Sequence, residues 1–407
     1  MKKYLLIILL IMLTISLVGC FAFGNDPETT APVISDPTTF PSTSTTAPSS
    51  IQDPDNQFTG PLIAVSMPLV TEKIQASTGN TILFYNRFQN VSLNIDTPEA
   101  NQRITLDLLN RLDAMSSVKS DVYESAKQDY KEQPYWYPYR TSIIYEPARL
   151  DSNLLSMIGT EEIFDGTPRS ATVKRSVTYD LISGETITLK SILLEDFSAD
   201  SLSELIIEGL SSYTSDSLFG DYKEIIHDMF NTNVPVDSWY FSETGLVFFF
   251  NPYEIAPHSL GTVYSEIPYE RLLGVVREAF FPTEKDQYTG NIQVSTTDIS
   301  SGTSLDQFSR IAELNLSDSK QQVIISCEGS VTDLRIYMGT MGSNGLSFTT
   351  DAIIFSATGL SSDDAIVIHA DTATVTEYLA VSYVSQGQTV FQTFALNKDG
   401  ALTLSES

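Results

Sequence analysis

Sulfur, histidine and positive charge are all scarce in this sequence. Its 407 residues hold two cysteines, Cys20 and Cys327, and three histidines, His227, His258 and His369, far apart along the chain. A zinc site would have to gather those few ligands from distant segments, so no metal and no cofactor is expected. Lys and Arg number 23 against 51 Asp and Glu, a net charge of −28. Nucleic-acid binding needs a basic footprint, and this chain has none. Also missing are a Gly-x-Ser-x-Gly elbow, a His-Glu-x-x-His pair, a phosphate-cradling glycine loop and an EF-hand pattern. Ser116-x-x-Lys119 and Ser317-x-x-Lys320 match the first element of penicillin-binding serine enzymes, but no Ser-Asp-Asn or Lys-Thr-Gly follows. Adjacent carboxylates such as Glu161-Glu162, Glu195-Asp196 and Asp363-Asp364 are expected by chance among so many acids. No residue is assigned a catalytic role, and the chain reads as non-enzymatic.

What is present begins with Lys2 and Lys3 ahead of an apolar run from Tyr4 to Val18, ending in Leu17-Val18-Gly19-Cys20. Two positive charges, an apolar stretch and small residues describe a secretory signal. The run falls short of the ~20 apolar residues of a spanning helix. Its end resembles a bacterial lipobox. That resemblance implies a signal peptide over residues 1–19, acylation of Cys20, and a lipid-anchored place on the extracellular face of the cell membrane. With Cys20 lipidated, Cys327 has no intrachain disulfide partner and reads as a small buried hydrophobe. Removal of residues 1–19 leaves 21 bases against 51 acids, a charge of −30. Residues 20–59 read as a disordered stalk, because 16 of the 22 residues from Thr29 to Ser50 are Ser, Thr or Pro.

The folded part divides by texture. Residues 60–181 are expected to form a mixed α/β domain. Thr97 caps a helix with Pro98 at its first position, and Ile104, Leu108, Leu112 and Met115 make one apolar stripe. Thr141–Glu146, Leu154–Ile163 and Ala171–Leu181 read as strands. In the last, Val173, Val177, Tyr179 and Leu181 share one face, and Lys174, Ser176, Thr178 and Asp180 the other. Residues 182–282 form an α+β domain packed with the first. Ser201-x-x-Glu204 reads as a capping box, Leu246–Phe250 as a central strand, and Pro268 as the start of a helix carrying Leu272, Val276 and Phe280. From 290 to 407 short alternating runs between glycines indicate an all-β, sandwich-like domain, with hairpin signals at Asn344-Gly345 and Asp399-Gly400. The fold class is thus an α+β recognition module followed by a β-sandwich.

Four stretches carry a family likeness: Phe164-Asp165-Gly166 with Tyr179-Asp180-Leu181-Ile182-Ser183-Gly184; Thr188-Leu189-Lys190-Ser191-Ile192-Leu193; Thr244 through Gly261; and Ile267-Pro268-Tyr269-Glu270-Arg271-Leu272. Together, over about 60–282, they resemble a bacterial extracytoplasmic domain pair. That pair occurs in the sigma-V-type anti-sigma factor that senses lysozyme, in the non-catalytic part of a peptidoglycan deacetylase, and in other Firmicutes envelope proteins. The resemblance implies an envelope-facing recognition fold for lysozyme or wall glycan. It carries over no chemistry, because the deacetylase's Asp/His metal motif is missing.

Two surfaces are candidates for ligand contact. Tyr253, Glu254 and His258 fall on a loop after the central strand, where Pro252 and Pro257 fix the path. Tyr135, Trp136 and Tyr137 make the densest aromatic patch, suited to stacking on sugar rings or anchoring a protein, or in part to burial. The negative charge would repel wall polyanions and steer a basic protein inward. The expectation is a cell-surface lipoprotein that binds a basic, lysozyme-like envelope protein. The alternative is a peptidoglycan-binding accessory lipoprotein, and a wall hydrolase is a third possibility.

Overall fold

The computed structural model describes residues 58–405 except 59, 78, 115, 132–134, 168–170, 196–197, 215, 233–235, 283–287, 299–304, 317–320, 343–344, 370–377 and 397–401. The signal, Cys20 and the stalk up to residue 57 lie outside the described residues, as do Met115, Asn344 and Asp399-Gly400. Among the described residues no helix is long and apolar enough to cross a membrane.

Four strands come first: β1 (Ala64–Ser66), β2 (Leu69–Gln75), β3 (Ile82–Gln89) and β4 (Ser92–Asn94). Helices α1 (Pro98–Asp113) and α2 (Ser116–Asp129) lead to β5 (Tyr139–Leu150), β6 (Leu154–Phe164) and β7 (Ala171–Asp180). The sheet order is β2-β3-β5-β6-β7, and only the β3–β5 pair is parallel. A parallel pair needs a crossover, which α1 and α2 supply. Pro98 opens α1 after an extended Thr97, whose hydroxyl makes no capping bond. Ala100, Ile104 and Leu108 then bury one stripe of α1 against Ile143, Tyr145, Leu155, Met157 and Tyr179. Val177 and Tyr179 face that core as the alternation predicts, yet Ser176 and Thr178 on the opposite face are buried too. A second layer covers them.

That layer comprises α3 (Leu189–Ile192), α4 (Ala199–Gly209), α5 (Tyr222–Thr232), the antiparallel strands β8 (Trp239–Phe241), β9 (Gly245–Phe250) and β10 (Val263–Pro268), and α6 (Tyr269–Leu272). All six residues of β9 are buried between its two neighbours, as a run apolar on both faces requires. Two local expectations shift. The N-cap of α4 is Ser198, whose hydroxyl accepts the Ser201 amide, so the helix starts earlier than the Ser201 box implies. The helix after Pro268 stops at Leu272, because Gly274 takes a φ of +77° that a helix cannot continue through. Val276 then bridges to Leu193, and Phe280 falls in a separate 3-10 turn.

The second layer docks on the first through buried polar bonds. The Ser176 amide donates to the Asp237 carbonyl at 2.8 Å, and the Phe241 amide to Ser156 Oγ at 2.9 Å. Ser156 in turn bonds Thr178 at 2.8 Å. Arg149, 1% exposed, closes the joint. Its Nε and Nη2 donate to Asp151 Oδ2 at 2.9 and 2.6 Å, and its Nη1 donates to Tyr269 Oη at 2.7 Å and the Phe280 carbonyl at 2.6 Å. The rings of Phe241 and Tyr269 cover the guanidinium at 5.5 and 5.6 Å.

The C-terminal part is all β: β11 (Gly290–Asp298), β12 (Arg310–Asn315), β13 (Gln321–Gly342), β14 (Gly345–Ser361), β15 (Asp364–His369), β16 (Tyr378–Ser385), β17 (Gln388–Leu396) and β18 (Leu402–Ser405). The 22-residue β13 belongs to two layers. Its first half pairs with β11 and β15, its second half with β14 and β16. Between the layers Leu314, Val323, Ile325, Leu334, Ile336, Ile366 and Val381 fill a sandwich-like core. Cys327 is buried there, and burial pushes its thiol up to about 12, so it is inert. Unlike the texture boundary near 290, the pairing is not local: β1 and β4, from the start of the folded body, extend this sheet as β14-β1-β4. The described residues accordingly belong to one compact unit, 52–407.

Arg149→Met would strand the Asp151 carboxylate in the joint. The expected loss is about 3–5 kcal/mol in urea unfolding. Arg149→Met with Asp151→Leu should recover a large part of it, because no charge is then left unpaired.

Candidate functional site

The loop from Asn251 to Gly261 is clamped at both ends. Asn251 behaves as an extra strand residue toward β7: its Oδ1 accepts the Lys174 amide at 2.7 Å, and its Nδ2 donates to the Lys174 carbonyl at 3.1 Å. Glu254 Oε2 accepts the Asn251 amide at 2.8 Å, and the Tyr253 amide donates to the Ala256 carbonyl at 3.0 Å. Ile255 and Ala256 are buried in the α4–α5 core, and the Ile255 carbonyl accepts the Phe219 amide. This tight path forces Tyr253 to φ +74°, a left-handed conformation that costs a bulky residue about 1 kcal/mol or more. Its ring is left 58% exposed, 5.5 Å from the half-buried His258 ring and tilted 40° to it. Tyr253 and His258 are thus neighbours on the surface, while Glu254 turns inward to brace the loop. Burial pushes the Glu254 carboxyl above its ordinary value, opposed by the hydrogen bonds from Asn251 and aided by the charge of Asp237.

The aromatic patch splits by alternation. Tyr135 and Tyr137 are 82% and 75% exposed. Trp136 turns the other way: its Nε1 donates to the Ile82 carbonyl at 2.9 Å, and its ring stacks on Tyr139 at 5.0 Å. Tyr139 donates to Asp129 Oδ2 at 2.6 Å, and its phenol is pushed up to about 12 by burial first and that carboxylate second. Trp136 is therefore an anchor for the segment, with the two tyrosines displayed beyond it.

The other stretches that carry the likeness do local structural work. Asp180 Oδ1 accepts the Ile182 and Ser183 amides at 2.8 Å, closing the turn after β7. Gly184, at φ +74°, lies against the backbone of Ala100 where a Cβ would collide. Thr188 and Ser191 cap α3 reciprocally. Tyr269 Oη, besides accepting from Arg149, donates to the Ser242 carbonyl at 2.9 Å, and burial pushes this phenol up to about 12. Sequence reasoning missed Arg149 and Asn251, since nothing local marks either as a joint.

Of the adjacent carboxylates, Asp196 lies outside the described residues, and the other two pairs do not converge. Glu161 and Glu162 point to opposite faces of β6, held by Arg175 and Arg140 respectively. Asp364 is buried against Arg310. Among the described residues no group of three or more His, Cys, Asp or Glu side chains is placed to hold a metal ion.

Two measurements test this loop. Tyr253→Gly is expected to raise the unfolding free energy by up to about 1 kcal/mol by relieving the left-handed strain, and Tyr253→Ile to lower it. Because the folded Glu254 binds its proton more tightly than the unfolded chain does, its contribution to stability is lost as pH rises through the raised pKa. Glu254→Gln, which still accepts the Asn251 amide, should gain stability relative to the parent at neutral pH. In urea titrations that gain should fade as pH drops below the ordinary carboxylate range.

No curated protein matches the sequence. A DUF3298 family crystal structure from Bacteroides fragilis aligns at 18% identity with a TM-score of 0.42, covering 54% of this chain and 95% of that one. A second, from Pseudomonas aeruginosa, aligns at 14% identity with a TM-score of 0.36, covering 54% and 97%. Residues 192–270, which include α4 to β10 and the whole Asn251–Gly261 loop, match the family described as "Protein of unknown function (DUF3298)", and the chain carries a DUF3298 domain there.

Proposed function

We propose that this protein is a cell-surface lipoprotein, anchored through Cys20, whose α+β module binds a basic envelope-active protein of the lysozyme kind without transforming it. The observation that carries this reading is the exposed Tyr253 ring beside His258, held by a hydrogen-bonded loop in a strained backbone conformation on an acidic domain. A preorganised aromatic gives contact area at little entropic cost, which is why tyrosine dominates binding hot spots. Charge supplies the long-range part. Asp200, Glu204 and Glu208 recur every fourth residue on α4 with side chains 75%, 67% and 59% exposed, and the chain as a whole carries −28. A basic partner is drawn to such a field, and the attraction weakens with salt. The likeness to the lysozyme-sensing and deacetylase-associated domain pair points to the same class of ligand.

Titration calorimetry of the full-length protein in non-ionic detergent against lysozyme tests the reading. Binding that weakens with added salt is expected, and Tyr253→Ala combined with His258→Ala should cost about tenfold or more in Kd, that is about 1.4 kcal/mol. No measurable binding at low salt would remove the proposal. Loss of palmitate labelling in Cys20→Ser is the expected result for the anchor.

The exposure of Tyr135 and Tyr137 favours a second reading, wall-glycan binding. Retention on purified peptidoglycan should then fall in Tyr135→Ala with Tyr137→Ala. Trp136→Ala is the wrong probe, since its indole braces the fold.

A further inference from the structure

We infer that the free edge of β12 is a second binding site, which takes an extended, lysine-bearing polypeptide segment by strand addition. Among the described residues β12 pairs with β15 alone. The bond from the Leu316 amide to the His369 carbonyl fixes the phase of that parallel ladder. Main-chain groups alternate along a strand, so Arg310, Ala312 and Leu314 address β15, while the N–H and C=O groups of Ile311, Glu313 and Asn315 point away from it. Those three residues line a cleft of about 300 Å³, whose opposite wall is Ser66 of β1 with Ser92 and Asn94 of β4. The edge thus opens into a walled groove, where an incoming strand would meet both a ladder and a floor.

Two features of the groove point to a ligand. The wall opposite the edge is polar: Ser66 and Ser92 both line the cleft. Their hydroxyls can donate to or accept from the main chain of an inserted segment. Glu313 stands on the open edge with its side chain 62% exposed, and among the described residues its one basic neighbour within ion-pair distance is His369 Nε2, at 4.0 Å. A carboxylate on an edge repels another acidic edge and suits a basic side chain, which selects a lysine-bearing segment from a foreign chain over a second copy of this one at −28. Strand addition of this kind draws affinity from the main chain and selectivity from alternate side chains. The site lies on the β part of the molecule and stands apart from the Tyr253 loop, so either can fail without the other.

The test is hydrogen exchange, read by mass spectrometry on the full-length protein in detergent, with a capped hexapeptide of alternating threonine and lysine as the probe. At about ten times its Kd the peptide should slow exchange in fragments covering 310–316 about tenfold. The same peptide N-methylated at alternate residues, which cannot add to an edge, should give no protection there, and a threonine–glutamate peptide should bind more weakly. Ile311→Pro, which deletes one outward amide and leaves the ladder to β15 intact, should abolish the protection. If that variant does not fold, the N-methylated peptide carries the same test. Three results would overturn the proposal: equal protection by the N-methylated peptide, protection confined to other fragments, or slow exchange of the outward amides already present without any peptide.

Discussion

The buried contact between Arg149 and Asp151 fixes how the parts of this molecule meet. An ion pair out of water contributes little net stability, because desolvation offsets most of the attraction. What it does impose is geometry. Both ends are fully engaged: the guanidinium reaches Asp151, the Tyr269 hydroxyl and the Phe280 carbonyl, and Asp151 Oδ1 takes the Asn153 and Leu154 amides at 2.8 and 2.9 Å. Any other docking of the β8–β10 layer on the first sheet would separate these groups and leave a charge unpaired in a dry site. Since β9 runs directly into Asn251, the same contact sets where the Tyr253 loop emerges.

The sheets treat their edges in opposite ways. The outer edge of β7 is covered from Lys174 to Thr178, by the Asn251 side chain, the Asp237 carbonyl and the Ile187 amide in turn. Covering an edge with side-chain amides and loop carbonyls blocks unwanted strand pairing. It also gives the Asn251–Gly261 segment a second role as an edge clip, which accounts for Asn251 and Glu254 without any ligand. The edge of β12 has no such cover among the described residues. It is short, carries a charge, and faces a groove, which restricts what can pair with it.

Much of the fold was legible in the sequence, because it rests on local signals. Pro98 after an extended Thr97 and the Ile104–Leu108 stripe define α1, and five apolar residues after Gly245 define a strand buried on both faces. Short alternating runs after 290 announce a β region. The failures share a cause. Leu272, Val276 and Phe280 have helical spacing, but one glycine at positive φ breaks the path, and spacing does not report backbone conformation. Ala64–Ser66 is three residues long and bears no pattern that assigns it to a sheet formed by residues 321–361. Arg149 reads as a surface base until Tyr269, 120 residues on, comes beside it. Of the candidate site, the loop was legible, whereas the exposure of Tyr253 and the inward turn of Glu254 follow from the loop's backbone path, and the inward turn of Trp136 depends on Ile82, 54 residues away.

The conformation of Tyr253 bears most directly on function. Glycine would occupy φ +74° without strain, and a buried tyrosine would recover the strain through packing. Tyr253 does neither: it keeps a left-handed backbone and holds most of its ring in solvent beside His258. A cost of about 1 kcal/mol is small against the ~2 kcal/mol or more that an aromatic anchor contributes once covered by a partner. Edge covering explains Asn251, bracing explains Glu254, and the tight path of the loop sets the left-handed backbone of Tyr253. The exposure of its ring is what the proposed basic partner would use, with the acidic residues exposed on α4 of the same layer supplying the attraction.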